Sequence, residues 1–286
     1  MIPLKFKSAF CVFFTVMLYG LTPTIGKAQS ITKETFNDSI RKLPYFSIHN
    51  DNFFITGVPT NKHIDRNTAN AKYQISFKQM ITRDALPWDT YLFITYTQKA
   101  FWDIYKESLP FRDINFNPTV SLGKAVFNKE NRLKGILGLS LEHESNGRDS
   151  ISSRSWNRIS FNYMTSVHKN TTANFKVWVP FMYKESNPDL LEYVGLGEIN
   201  ISHEIKRNKL YAELLLRKGL NFDGKGVVRS RIYYNPFNKN LSNQYILLEW
   251  YLGQAESMLD YQNSKSMIRL GYVIKSNEFN WFKQKK

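Results

Sequence analysis

The sequence predicts an all-β protein, a twelve-stranded antiparallel transmembrane β-barrel. Three observations predict it. Beyond the N-terminal segment no apolar run reaches 18 residues, so no helix of the length needed to span a bilayer is encoded there. Instead, segments of about ten residues alternate apolar with polar side chains, the period of a half-exposed strand. Aromatics make up 15% of the 286 residues, with 21 Phe and 16 Tyr, which suits strands and the aromatic girdles of membrane barrels.

The chain opens with Lys5 and Lys7, an apolar run over 9–21 and small residues at Gly26 and Ala28. This is the pattern of a secretory signal peptide, with cleavage expected after Ala28 and a leader of 1–28. A membrane anchor helix is the alternative, but the run is short against the roughly 20 residues of a span. The single cysteine is Cys11, inside the leader, so the exported chain would carry no disulfide and no thiol chemistry. Residues 29–51 lack alternation and read as a periplasmic N-terminal segment. Residues 52–275 read as the barrel.

Strands are expected at 52–58, 72–81, 90–96, 119–127, 133–145, 156–166, 175–181, 197–205, 210–216, 227–234, 244–252 and 266–274. Asn187-Pro188, Arg207-Asn208, Asp223-Gly224 and Asn235-Pro236 mark turns between them. A soluble sandwich would use strands of about five or six residues, whereas bilayer-crossing strands take about 9–11. An even number of strands closes a barrel and returns both ends to the periplasmic side. Residues 276–286 remain as a tail, in which Trp281 or Phe282 could serve as a terminal aromatic.

The formal charge is +15. The leader holds three of the lysines, so the exported chain carries three fewer, +12. The charge fits anionic head groups or lipopolysaccharide phosphates, or a solvated surface. Nucleic acid is not an expected partner, because the basic residues are scattered and the protein is exported.

The segment 143–158, His-Glu-Ser-Asn-Gly-Arg-Asp-Ser-Ile-Ser-Ser-Arg-Ser-Trp-Asn-Arg, holds the chemistry. Strand residues two apart share a face. Leu137, Leu139, Leu141, His143 and Ser145 therefore share an apolar, lipid-facing side, while Ser140, Glu142 and Glu144 face the lumen. In the next strand Asn157, Ile159, Phe161 and Tyr163 share the lipid side. Ser145, His143 and Asn157 would meet on the outer wall as nucleophile, base and orienting group. An amide can fix the imidazole where a carboxylate facing lipid would be costly to desolvate. Counting strands from a periplasmic start puts the site at the outer-leaflet level. Glu142, Glu144 and Arg158 read as a satisfied lumen network, and Trp102, Trp156 and Trp178 as packing or girdle residues. His203 has no evident partner in its own segment.

These residues resemble the signature of the bacterial outer-membrane phospholipase A family. The matching stretches are His143, Ser145-Asn146-Gly147-Arg148 and Ser153-Arg154-Ser155-Trp156-Asn157-Arg158. Tyr96-Thr97-Gln98-Lys99, Pro110-Phe111-Arg112, Asn115, Glu256-Ser257 and Asp260-Tyr261 also match. The resemblance implies a calcium-dependent phospholipase that hydrolyses acyl esters of membrane phospholipids and is activated as a reversible homodimer. It implies Ser145 as nucleophile, His143 as general base, Asn157 as orienting residue and the Gly147 N–H as an oxyanion donor. It also implies calcium held by the Arg148 carbonyl and the Ser153 hydroxyl, with Ser108 reaching the partner's ion and Gln98 in the dimer contact. The loop 149–152 departs from the family pattern. The rivals are a lipid A deacylase on a similar barrel and a non-catalytic barrel or channel.

Overall fold

The computed structural model describes residues 31–82, 86–237, 243–276 and 282. The expected leader and most of the tail lie outside the described residues. Helix α1 (Lys33–Lys42) is followed by β1 (Phe46–Ile48), β2 (Asn52–Pro59), β3 (Asn70–Met80), β4 (Thr90–Trp102), β5 (Phe111–Phe127), β6 (Leu133–Ser145) and β7 (Ser155–His168). Then come β8 (Thr171–Phe181), the short helix α2 (Leu190–Val194), β9 (Gly197–Lys206), β10 (Leu210–Lys218), β11 (Gly226–Tyr234), β12 (Gln244–Gly253) and β13 (Lys265–Ile274). Consecutive strands from β2 onward pair antiparallel, and β13 returns to β2, so twelve strands close on themselves. Closure leaves no free sheet edge, which is what a lipid environment demands of a strand-built wall. Among the described residues no helix is long and apolar enough to cross a membrane.

The short β1 pairs with the far end of β3 (Ile48↔Phe77), in line with β2 (Phe53↔Gln74). The register slips by two residues between them, so residues 49–51 form a bulge in what is otherwise a continuation of the first wall strand. The segment before Asn52 is therefore structured. Thr32 caps α1 by accepting from the Thr35 N–H at 3.2 Å, and the helix buries Phe36 and Ile40.

β4, β5 and β8 all run well past the spans their alternation indicates, β8 starting at Thr171. β4 reaches Trp102 and β5 starts at Phe111, so Pro110-Phe111-Arg112 and Asn115 lead into and lie within a wall strand rather than preceding it. The pattern is broken there by Gln98 on the lipid face of β4 and by Asn117-Pro118 in mid-β5.

The lumen is filled. Lys72 bonds Glu249 and also Glu256 (3.0 Å); Arg231 bonds Glu249 (2.8 Å) and Arg269 bonds Glu256 (2.6 Å). These charges are fully buried but each has an opposite partner, the condition under which buried charge is tolerated. Each mouth is closed by an apolar cluster. At one, Phe36 and Ile40 of α1 pack with Met80, Tyr91 and Leu133, and Phe282 joins them. At the other, Trp156, Trp178, Leu190, Val194, Met258 and Tyr261 pack together from two strands and two loops.

The two rims differ. At one end the connections are the short turns 128–132, 169–170 and 207–209 and the longer links 81–89 and 235–243, together with α1. At the other are the loops 60–69, 103–110, 146–154, 182–196, 219–225 and 254–264. Exposed basic side chains gather at the turn end, among them Lys42, Lys124, Lys129, Lys134, Lys169 and Lys206.

Candidate active site

The face assignment made from alternation agrees with exposure. On β6, Leu139 and Leu141 are open at the wall surface, with Leu141 54% exposed, while Glu142 is 4% exposed. On β7, Ile159 is 50% exposed and Ser160 1%. His143, Ser145 and Asn157 thus lie on the outer wall, at the end of the apolar belt next to the loop 146–154.

The β6–β7 register sets His143 directly opposite Asn157 and Ser145 opposite Ser155. Residues directly opposite are close enough for their side chains to meet. His143 Nδ1 lies 2.9 Å from Asn157 Oδ1. An amide oxygen only accepts, so Nδ1–H donates and Nε2 is left with a lone pair. Ser145 follows two positions along the same face, about 7 Å along the strand. Among the described residues its hydroxyl makes no hydrogen bond to the imidazole, the loose geometry common in a free active site.

Beneath His143, Ser145 and Asn157, the lumen side of the same two strands is tied by charge. Arg158 reaches Glu142 at 2.6 Å and Glu144 at 3.0 Å, and the Trp156 indole donates to Glu144 at 3.1 Å. The Arg158 guanidinium sits 4.1 Å from the Trp156 ring centre. The expected lumen network is therefore present. Trp156 and Trp178 pack in the loop-end cluster, and Trp102 stacks on Phe111 and donates to the Leu109 carbonyl at 2.8 Å. His203 does have a partner, Thr171 Oγ1 at 2.8 Å on the neighbouring strand. The partner lies 32 residues away in the chain, so the segment around His203 carries no sign of it.

The loop after Ser145 is folded back by Asn146, which is almost fully buried. Its N–H donates to the Arg154 carbonyl (3.0 Å), its Nδ2 to the Ser152 carbonyl (2.9 Å), and its Oδ1 accepts from the Arg154 N–H (2.9 Å). Gly147 then takes φ +63, a left-handed conformation, and a Cβ there would stand 2.9 Å from the Phe116 ring. The Arg148 carbonyl and the Ser153 hydroxyl lie in this same loop. Among the described residues neither is engaged in a hydrogen bond, and both are oxygens, the donor type calcium prefers. Among the described residues no group of three or more His, Cys, Asp or Glu could hold a metal. A carbonyl and a hydroxyl, with water or further oxygens, form the kind of set that could hold calcium here. Ser108 lies elsewhere, at φ +64 in the exposed loop 103–110. Gln98 lies on the outer face of β4, its Oε1 accepting from the Tyr96 hydroxyl at 3.0 Å.

Two further clamps brace the site. Asn187, fully buried, donates to the Ser155 carbonyl at 2.9 Å and so pins the loop 182–196 to the start of β7. Arg112 bonds Asp260 at 2.6 Å, and Asp113 accepts from the Leu259 N–H at 2.9 Å, which fastens the loop 254–264 to β5. Arg148 joins in through the Arg112 carbonyl at 2.5 Å. Asn146, Asn187 and also Asn117 precede Gly or Pro. That is a turn signal in sequence, but their work here is to satisfy distant backbone groups.

Comparison with known proteins agrees with this architecture. A family model described as phospholipase A1 matches residues 38–274. The chain is 28% identical to the phospholipase A1 of Salmonella typhimurium over 209 residues, covering 71% of this chain and 68% of that one. It is 27% identical to the phospholipase A1 of Escherichia coli K12 over 209 residues, with the same shares covered. Among solved structures, outer membrane phospholipase A from Escherichia coli superposes with a TM-score of 0.72 at 21% identity, covering 86% of this chain and 99% of that one. The Salmonella typhi outer membrane phospholipase, described as a dimer with bound calcium, also gives 0.72, at 22% identity over 88% and 99% of the two chains.

Proposed function

Because the chain belongs to the phospholipase A1 family and is an enzyme of the bacterial outer membrane, we propose that Ser145, His143 and Asn157 are its catalytic triad. The observation that carries the reading is the 2.9 Å contact between His143 Nδ1 and Asn157 Oδ1 on a wall face otherwise made of exposed leucine, isoleucine and phenylalanine. With Nδ1–H held by the amide, Nε2 takes the proton as Ser145 Oγ attacks the acyl carbonyl of a phospholipid. The protonated imidazole returns that proton to the departing glycerol oxygen. That step releases the lysophospholipid; water then attacks the acyl-enzyme, gives a proton to Nε2, and the imidazolium passes it to Ser145 Oγ as the ester breaks and the fatty acid leaves. The Gly147 N–H, exposed by the left-handed turn, donates to the developing oxyanion.

Calcium would be held by the Arg148 carbonyl and the Ser153 hydroxyl, with Ser108 contributing to the site of a second copy and Gln98 lying in the contact between copies. Bound there, the ion would supply positive charge near the oxyanion. The Salmonella typhi neighbour, a dimer with bound calcium, supports both points, as do the two uncommitted oxygens of the loop 146–154. The long-loop rim is read as the outer side, so the triad meets phospholipid that has reached the outer leaflet. The short-turn rim and the N-terminal helix are read as periplasmic, and 1–28 as a leader.

The test is hydrolysis of phospholipid in mixed micelles by wild type and Ser145→Ala, each with and without chelator. Loss with Ser145→Ala and loss on chelation are expected. Turnover by Ser145→Ala would overturn the triad, and undiminished turnover in chelator would remove calcium. Crosslinking with and without calcium should enrich a dimer in its presence; an active species that is monomeric throughout would remove the dimer. A lipid A deacylase would instead cleave lipopolysaccharide and leave the phospholipid intact.

A further inference from the structure

A proline sits in the middle of β5, in a closed barrel with no edge to excuse it. Proline has no N–H, so within sheets it is normally confined to edges and strand ends. Pro118 stands beside the site. The pairs Phe116↔Ser145 and Thr119↔Glu142 have the same register, which sets Pro118 directly opposite His143. Yet the β5–β6 ladder skips residues 117 and 118, whereas the β4–β5 ladder runs unbroken through Tyr96↔Pro118 and Thr97↔Asn117. In an antiparallel sheet a residue's N–H and C=O point toward the same neighbour, alternating along the strand. The intact side is therefore the one that does not use the Pro118 nitrogen. The missing bond is the one Pro118 would have donated to the His143 carbonyl.

That carbonyl is not orphaned. Asn117 Nδ2 donates to it at 2.6 Å. A side-chain amide from the adjacent residue replaces the absent main-chain donor, at the residue whose imidazole faces Asn157. A buried backbone acceptor left unpaired is rare and costly. Here the break in the ladder and its repair fall together at His143.

We propose that Asn117 is a positioning residue for His143, holding its main chain from the β5 side through this amide while Asn157 holds the ring from the β7 side. The proposal rests on the reading of His143 as the general base. The Asn117-Pro118 pair makes the orientation of that residue depend on a side chain instead of the uniform ladder. Asn117 is half-buried and does not contact the reacting atoms, so it acts through the backbone of the base.

The experiment uses the full-length protein in mixed micelles with phospholipid, comparing Asn117→Ala, Asn117→Asp and the double variant Asn117→Ala/Pro118→Ala. Asn117→Ala should lower kcat about tenfold to a hundredfold, the loss expected from a small misplacement of a catalytic group, with KM unchanged. Asn117→Asp should do the same, since a carboxylate offers the carbonyl no donor. In the double variant, replacing the proline returns a backbone N–H to the vacant ladder position, and kcat should recover to within about threefold of wild type. Heat-modified mobility on gels, which reads barrel folding, should be alike in all of them. Wild-type kcat in Asn117→Ala, or a double variant no better than the single one, would overturn the proposal. A failure of the triad itself shows separately, as hydrolysis by Ser145→Ala.

Discussion

At the scale of the residue, His143 is held by neutral groups. An amide oxygen fixes Nδ1 without adding a charge to a wall that faces lipid. Asn157→Ala should leave the ring free to rotate and lower kcat by about 100-fold, with the barrel still folded, measured on micellar phospholipid. Gly147→Ala should lower kcat by about tenfold or more, because the left-handed turn and the Phe116 ring leave no room for a Cβ; an active Gly147→Ala enzyme would remove the Gly147 N–H from the oxyanion site. The shared outer face of His143, Ser145 and Asn157 was legible because strand parity is a local property, and the three residues follow it. Asn117, Asn146 and Asn187 were not legible, because the groups they satisfy lie on other strands or across a loop. An Asn before Pro or Gly announces a turn in sequence, and nothing local distinguishes a turn former from a clamp.

At the scale of the element, the strands about the site are braced by paired charge on the lumen side and by loop clamps at the rim. Arg158 is the common partner of Glu142 and Glu144. Arg158→Met leaves both carboxylates without it and should destabilise the fold by about 3–5 kcal/mol, read as a lower temperature for conversion to the slow-migrating form on gels. The loop 254–264 is held through Asp260, which accepts from Arg112, and through Asp189 of the loop 182–196, which accepts from Tyr261 and Gln262. For Asp260, burial pushes the carboxyl up, but the Arg112 hydrogen bond and the charges of Lys265 and Arg112 outweigh it and hold the group below its ordinary 3.8. For Asp189, burial is likewise outweighed by hydrogen bonds from Tyr261 and Gln262. A carboxylate depressed in the folded state stabilises it above the ordinary value, and that contribution fades as pH falls through the depressed one. Protease sensitivity of the loop 254–264 should therefore rise as pH drops below about 4, and Asp260→Asn should show raised sensitivity at neutral pH. The β-class and strand order were legible from alternation. The added lengths of β4 and β5 were not, since Gln98 and Asn117-Pro118 interrupt the pattern on which such a reading depends.

At the scale of the whole molecule, the barrel is a solid post. Ion pairs fill its middle, α1 with Phe36 and Ile40 closes one mouth, and the Trp156–Trp178 cluster closes the other. Inserted in a planar bilayer, the protein should show no steady ionic current; a stable open conductance would contradict the packed lumen. The helix that closes the turn end was not foreseen, because an isolated ten-residue helix leaves little periodicity to read beside so many strands. The proposed triad, on the outside of such a post, has a kinetic consequence. Lipid would then reach Ser145 by sliding within the plane of the bilayer, and both products would leave by the same route. Turnover is then governed by how crowded the leaflet is with cleavable lipid. Diluting the substrate with inert detergent or lipid at constant bulk concentration should slow the enzyme as effectively as removing it.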